Sequence, residues 1–356
     1  MIATETPAAS RWLAPFVGTL AAMFALQMSN LGFSPLLPSI QHDFAMSFTQ
    51  LGLFTGIYGL LAMALSVPAG LAAKRLGEKP TVIAGLLGVA VGSVLLGSAW
   101  SFSTALASRG ITIVGYRFAF VCVLVAVAVT SPPSLKGRTM GIVGATSSLA
   151  SVVGAPVGGM LERTLGWRTG ILGYAAAAVV GAVVFAMLYP RRAVSQPQSV
   201  NAYAGAERVT PGKSAFKSPL VWLLALLVGL GGFGQFTVTY FVPSVARSVF
   251  NLDAVAAGWI ISTGFLCAIV VNLGVGALMD RYDKWMVLAG MFALLAIASA
   301  SAAVQNLLIF RLSTAAVLSL GFTAANQLYG IAGTVTRGRE TGNAIGVVSL
   351  GAGLFG

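Results

Sequence analysis

Apolar runs of membrane-crossing length, broken by short polar segments, fill nearly the whole chain. At 1.5 Å rise per helical residue, a hydrocarbon layer ~30 Å thick takes about 20 residues. On that measure the pattern predicts transmembrane helices over residues 12–39, 49–73, 80–99, 104–131, 138–161, 167–190, 219–248, 254–279, 284–303 and 306–334, and the start of another at 340. The run after Arg11 is too long for the apolar part of a signal peptide. It ends in Pro38-Ser39 rather than at a small-residue cleavage site, so it reads as an uncleaved first span.

The polar breaks repeat. The loop Gly70 to Lys79, with Lys74, Arg75 and Gly77, returns 206 positions later as Gly276 to Lys284, with Asp280 and Arg281. Lys136-Gly137-Arg138 returns as Arg337-Gly338-Arg339 at an offset of 201, Pro38-Ser39-Ile40 as Pro243-Ser244-Val245 at 205, and Arg109 as Arg311 at 202. Echoes in one order at nearly one offset indicate an internal duplication. The composition shifts to polar and basic between Arg191 and Ser218, where a join would fall. The expected organisation is therefore a first half over 1–190, a linker over 191–218 and a second half over 219–356. The counterparts of residues 155–190 fall beyond Gly356, so the second half is expected to be truncated in its eleventh helix.

Composition agrees with this reading. Of the 356 residues 57% are hydrophobic and only 8% charged, with a mean hydropathy of +0.89. Soluble domains carry about 25% charged residues, so most of this surface faces lipid. The 43 glycines suit close helix packing in a membrane. The net charge of +12 does not imply nucleic acid, because the bases sit in short breaks between apolar spans. Cys122 and Cys267 lie within spans and His42 is the only histidine, so neither a disulfide, a metal site nor any cofactor is expected.

Basic residues are unevenly distributed between the two sides. Arg11, Lys74, Arg75, Lys79, Lys136, Arg138, Arg191, Arg192, Arg208, Lys213, Lys217, Arg281, Lys284, Arg337 and Arg339 fall on one side, and only Arg163, Arg168 and Arg247 near the other. By the positive-inside rule the N-terminus and linker are expected in the cytoplasm.

Two six-span halves joined by a basic linker resemble the Major Facilitator Superfamily. The Gly70–Lys79 loop and its Gly276–Lys284 copy are similar to that family's loops after helices 2 and 8. Arg109 with Gly115 resembles its helix 4 pattern, Gly154-Ala155-Pro156 its helix 5 glycine–proline pattern, and Gly166-Trp167-Arg168 its helix 6 start. Lys74 stands where the family pattern has Asp, and Ala155 where its drug:proton antiporters have Gly. The resemblance implies an all-α membrane fold of two pseudo-symmetric halves. It also implies alternating access to a site lined by helices 1, 4, 7 and 10. Gly70, Arg75, Gly77, Asp280, Arg281 and Pro156 then belong to gating or structural motifs.

Away from the span ends the only charges within the spans are Arg109, Arg117 and Arg311. Arg117 lies near the middle of its span and has no basic counterpart in the duplication. An arginine there costs at least ~2.5–3.5 kcal/mol, which makes it the foremost candidate for pairing with an anionic substrate. The alternative is a structural arginine bonded to helix carbonyls and water. Arg109 and Arg311 are repeat mates nearer the outer ends, where a structural or gating role with outward snorkelling is expected. Further candidate substrate contacts are Gln27, Asn30, Tyr58, Gln235, Tyr240 and Asn326. Gln27 and Asn30 share a helix face, and Asn30 maps onto Gln235.

The expected function is secondary transport of a small solute, an organic or inorganic anion, across a bacterial inner membrane. The expected form is a monomer in lipid, with no enzymatic chemistry and with proton coupling left open. The alternatives are efflux of neutral or hydrophobic compounds by a proton antiporter, and an inactive transporter-like fragment or sensor.

Overall fold

The computed structural model describes residues 12–130, 136–190, 218–335 and Val348. Among them ten helical segments are long and apolar enough to cross a membrane. They comprise α1 (Leu13–Leu31) with α2 (Leu37–Asp43), α3 (Phe48–Leu76), α4 (Glu78–Gly97), α5 (Phe102–Thr130), α6 (Lys136–Leu165), α7 (Trp167–Leu188), α8 (Pro219–Phe250), α9 (Ala254–Arg281), α10 (Lys284–Ser301) and α11 (Leu307–Val335). The linker 191–217 and most of the segment from 336 onward lie outside the described residues, as does the expected eleventh span apart from Val348.

Polar residues mark the helix starts. Ser47 and Gln50 exchange side-chain-to-backbone hydrogen bonds at the head of α3, and Ser101 and Thr104 do so at α5. Asp253 caps α9 through the Ala256 N–H, and Asn306 caps α11 through the Leu308 and Ile309 N–H groups. Asp283, inside the second copy of the repeated loop, caps α10 through the Trp285 and Met286 N–H groups.

The first span differs from its prediction. It is not one helix over 12–39. α1 stops at Leu31, a 3-10 turn covers Ser34–Leu36, and α2 resumes at Leu37. Pro35 supplies no N–H and favours a new helix start. Tyr174 of α7 sits under the break and donates to the carbonyls of Gly32 and Gly154, the latter at 2.9 Å. The broken backbone is thereby partly satisfied by a side chain.

The helices pack in two groups. In the first, α1 lies against α5, α6 and α7, while α4 lies against α5 and α7 and α3 against α5. In the second, α11 touches α8, α9 and α10. Backbone contact within the groups depends on glycine. A Cβ on Gly85 would come within 2.6 Å of the Gly115 carbonyl oxygen, which lets α4 and α5 touch along their length.

The groups meet along a seam between α6 and α9, and where the 3-10 turn and α2 touch α8. Ala155, Pro156 and Gly159 of α6 face Ala254 and Gly258 of α9 backbone to backbone, and Ser262 donates to the Val152 carbonyl at 2.7 Å. Pro156, expected in a structural motif, is therefore part of the seam.

Candidate functional site

Side chains from both groups converge on a packed aromatic cluster. Tyr58 of α3 lies 5.8 Å, ring to ring, from both Tyr116 of α5 and Phe236 of α8. Phe120 stacks on Tyr116 at 5.5 Å, and Tyr240 stacks on Phe236 at 6.2 Å. Phe33, from the break after α1, closes one end at 5.8 Å from Tyr240. Rings one turn apart on α5 and α8 present their faces inward together, which is what i, i+4 spacing does on a helix.

Arg117 lies at the edge of this cluster, against Tyr58. It is half-buried, with its guanidinium carbon 5.0 Å from the Tyr58 ring centre, a cation–π contact. Its Nε is buried without a hydrogen-bond partner. The neighbouring Tyr116 hydroxyl donates to Gln27 Oε1 at 2.6 Å, tying α5 to α1. Gln27 and Tyr58 thus both contact Tyr116, and Arg117 contacts Tyr58.

Arg109 behaves differently from its prediction. It does not snorkel outward. It is 2% exposed, with its guanidinium carbon 3.9 Å from the Phe33 ring centre and its Nε and Nη2 unpartnered. The Phe33 ring covers it, and the break after α1 puts that ring there. Its repeat mate Arg311 is exposed, beside Trp259 and Thr263 in a pocket of about 310 Å³. Neither Arg109 nor Arg117 is ion-paired among the described residues, whereas Arg163, Arg168 and Arg247 each hold a carboxylate.

The remaining candidates are scattered. Asn30 is buried and lines a small cavity with Arg109. Tyr240 is buried, and its hydroxyl is unpartnered. Gln235 is buried where α8 approaches Gly321 of α11, so it faces its own group. The Asn326 side chain lies outside what is described; its neighbour Gln327 donates to Asn272 at 3.2 Å. Arg75 and Arg281 are exposed near the ends of α3 and α9, and Gly77 takes φ +88° between α3 and α4. The side chain of Asp280 is also outside the description, and Gly70 lies within α3.

The sequence reading missed Phe33, Tyr116, Phe120 and Phe236. A signal was present, since Tyr116 adjoins Arg117 and Phe236 adjoins Gln235. It also missed a network at the far end of the seam. There Arg247 of α8 reaches Glu162 of α6 at 2.9 Å and Ser39 of α2 at 3.0 Å, and Ser39 donates to the same carboxylate.

The chain matches the Major Facilitator Superfamily over residues 16–356. The chain belongs to the Major Facilitator Superfamily. It is a multi-pass membrane protein of that family, with ten membrane-length helical segments among the described residues. It is similar to an uncharacterised transporter of this type, YceJ of Bacillus subtilis, at 27% identity over 61% of this chain and 55% of that one. The chloramphenicol efflux pump Rv0191 of Mycobacterium tuberculosis is 24% identical over 85% of this chain and 68% of its own length. A probable sugar efflux transporter of Mannheimia succiniciproducens is 27% identical over 42% of this chain and 38% of its own. The chain thus spans little more than half the length of the first of these relatives. In structure it is similar to a bacterial homologue of the human lysosomal transporter Spinster in an inward-facing, unoccupied conformation, with a TM-score of 0.81 at 15% identity over 98% of this chain and 80% of that one. That likeness concerns the fold.

Proposed function

We propose that this chain belongs to a transporter that carries a small solute with an anionic group along the aromatic cluster where the two helix groups meet, and that Arg117 is the charge partner. One observation carries the reading. Arg117 is a half-buried cation with an unpartnered Nε, held over Tyr58 beside an aromatic cluster built from both helix groups. A guanidinium stacked on one ring keeps its edge free for a carboxylate or phosphate.

Transport proceeds by alternating access, with the two groups rocking about the aromatic cluster. The basic ends of the helices face the cytoplasm of a bacterial inner membrane, with the N-terminus inside. The Arg247–Glu162–Ser39 network and the α6–α9 seam then close the outer side. The halves are residues 1–190 and 219–356, joined by the 191–218 linker, and the protein works as a monomer. The loops at Gly70–Lys79 and at Asp280 and Arg281 gate the inner side.

Efflux of a neutral or hydrophobic compound is the second reading. The rings of Tyr58, Tyr116, Phe120 and Phe236 favour it, as do the two efflux transporters among the relatives. Ligand-induced thermal stabilisation separates the two. Purified protein and Arg117→Gln are titrated with small carboxylates, phosphates, sugars and neutral aromatic compounds. A ligand at ~100 times its Kd adds about 2.7 kcal/mol. Stabilisation of the parent by an anion, lost in Arg117→Gln, supports the anion reading. Stabilisation by neutral compounds alone, equal in both proteins, replaces it with efflux.

A further inference from the structure

Arg109 and Arg311 match at the repeat offset, yet their surroundings are opposite. Arg109 is sealed beneath Phe33, the ring placed by the break after α1. At the 205-residue offset of Pro38 and Pro243, the counterpart of Phe33 is Val238, and there α8 runs unbroken. Arg311 stays exposed, in the pocket of about 310 Å³ that it forms with Ala256, Trp259, Ile260 and Thr263 of α9. It is not ion-paired among the described residues.

The depth of this pocket is informative. α9 and α11 have 28 and 29 residues, ~42–44 Å at 1.5 Å each, the thickness of a bilayer with its headgroups. Arg311 is four residues past Leu307 and Trp259 five past Ala254, where their helices begin. Each is therefore ~6–8 Å in from the helix end, where headgroups meet hydrocarbon and tryptophan is enriched. Deeper in, Leu266, Val270 and Leu273 continue the exposed face of α9 below Trp259, and Leu308 and Leu312 are exposed on either side of Arg311. The same face of the first half is also bare. Leu53 and Leu60 of α3, 206 positions before Trp259 and Leu266, are exposed. There α6 and α7 lie against α1, and α7 also against α4, instead of covering it.

The chemistry of the lining is one-sided. The guanidinium is a planar fork of N–H donors, and the exposed Trp259 indole N–H is another donor beside it. The Thr263 hydroxyl is spent on the Trp259 carbonyl at 2.8 Å. No carboxylate lines the pocket among the described residues. Asp253, at the head of α9, is taken by the Ala256 N–H and by Arg163. The site thus has a cation and donors at headgroup level, aliphatic surface below, and nothing anionic to hold an ammonium group.

We propose that this pocket binds an anionic phospholipid in the leaflet opposite the basic loops. Arg311 holds the phosphodiester through its fork, Trp259 sits beside the headgroup, and the acyl chains lie along the exposed face of α9. The volume is at the lower end of the ~300–1,000 Å³ usual for small-molecule sites, which suits a headgroup whose chains remain in the bilayer. The lipid bridges α9 and α11 at this end. This does not rest on the Arg117 reading, and either can fail alone.

The test is lipid binding by the purified full-length protein, delipidated in detergent and titrated with phosphatidylglycerol or phosphatidylcholine of equal chain length. Native mass spectrometry gives the Kd of the first lipid bound. Phosphatidylglycerol is expected to bind ~10-fold tighter, the worth of one hydrogen bond between charged groups. Arg311→Gln removes that preference, Arg168→Gln at the same end of the bundle keeps it, and Trp259→Leu weakens phosphatidylglycerol severalfold. Equal affinity for the two lipids in the parent overturns the proposal, as does an unchanged preference in Arg311→Gln. Should Arg311→Gln not fold, an unchanged Kd in Trp259→Leu overturns it equally. Displacement of the lipid by equimolar inorganic phosphate also overturns it, because the pocket is then a site for a free anion.

Discussion

Arg247 of α8 and Glu162 of α6 meet at 2.9 Å across the two helix groups, with Glu162 the more enclosed partner at 12% side-chain exposure. Ser39 bonds to both. Removing one member leaves the other short of a partner at the point where the groups touch. Glu162→Gln is expected to favour separation at this end by ~1 kcal/mol, about fivefold in population. The measurement is thiol labelling of a cysteine at Ser244, with Cys122 and Cys267 replaced by alanine. Labelling should rise severalfold in Glu162→Gln and return toward the parent rate in the swapped pair Glu162→Arg with Arg247→Glu. Equal labelling in all three removes this network from the gate.

The seam beside it should also open when bulk is added. A Cβ on Gly258 would lie 2.7 Å from the Ala155 carbonyl oxygen and 3.0 Å from Pro156 Cα. Real side chains do not approach backbone so closely, so Gly258→Ala should wedge α9 from α6. Distances between spin labels on these helices should lengthen in Gly258→Ala, and transport should fall. Unchanged distances would show that the two backbones can part by a few tenths of an ångström at no cost.

How far these features could be read in the sequence depends on their range. The ten spans were legible because lipid demands about 20 apolar residues whatever the tertiary fold. Arg117 stood out by its cost alone. The break in the first span was hinted at by Pro35, but what stabilises it comes from Tyr174, 142 residues beyond Gly32. Arg109 shows the limit most clearly. Its spacing from the helix end suggested snorkelling, and nothing local revealed that Phe33 would fold over it. The network at Glu162 was half visible. Three acids (Asp43, Glu162 and Asp253) and three arginines (Arg163, Arg168 and Arg247) fall on one side of the membrane, but their pairing depends on how the groups dock.

Tyr174 offers a test of the break itself. Its hydroxyl serves the Gly32 and Gly154 carbonyls from a buried position. Tyr174→Phe keeps the ring and removes the donor. Leaving buried carbonyls unsatisfied costs about 1–3 kcal/mol, so unfolding in detergent should occur correspondingly earlier. Gly158 packs against that hydroxyl, and Gly158→Ala should produce a similar loss by displacing it. Stability equal to the parent in both variants would mean that water or a backbone shift satisfies the break.

Two turns provide a test of backbone conformation free of packing. Gly77 joins α3 to α4 with φ +88°, and Gly166 joins α6 to α7 with φ +83°. Both joints connect consecutive membrane-length helices through a single residue of positive φ. A side chain at Gly166 would meet nothing within 4 Å, and at Gly77 only Pro80 Cδ at 3.9 Å. Space is therefore not the constraint; the positive φ is. Alanine at either position should cost ~1–3 kcal/mol. Gly144 supplies the contrast, since a Cβ there also meets nothing within 4 Å but the residue is helical. Gly144→Ala should be neutral or stabilise by up to ~1 kcal/mol. Equilibrium unfolding of the three variants decides the matter. If all three behave alike, the turns relax to ordinary backbone angles and the glycines there are not required by geometry.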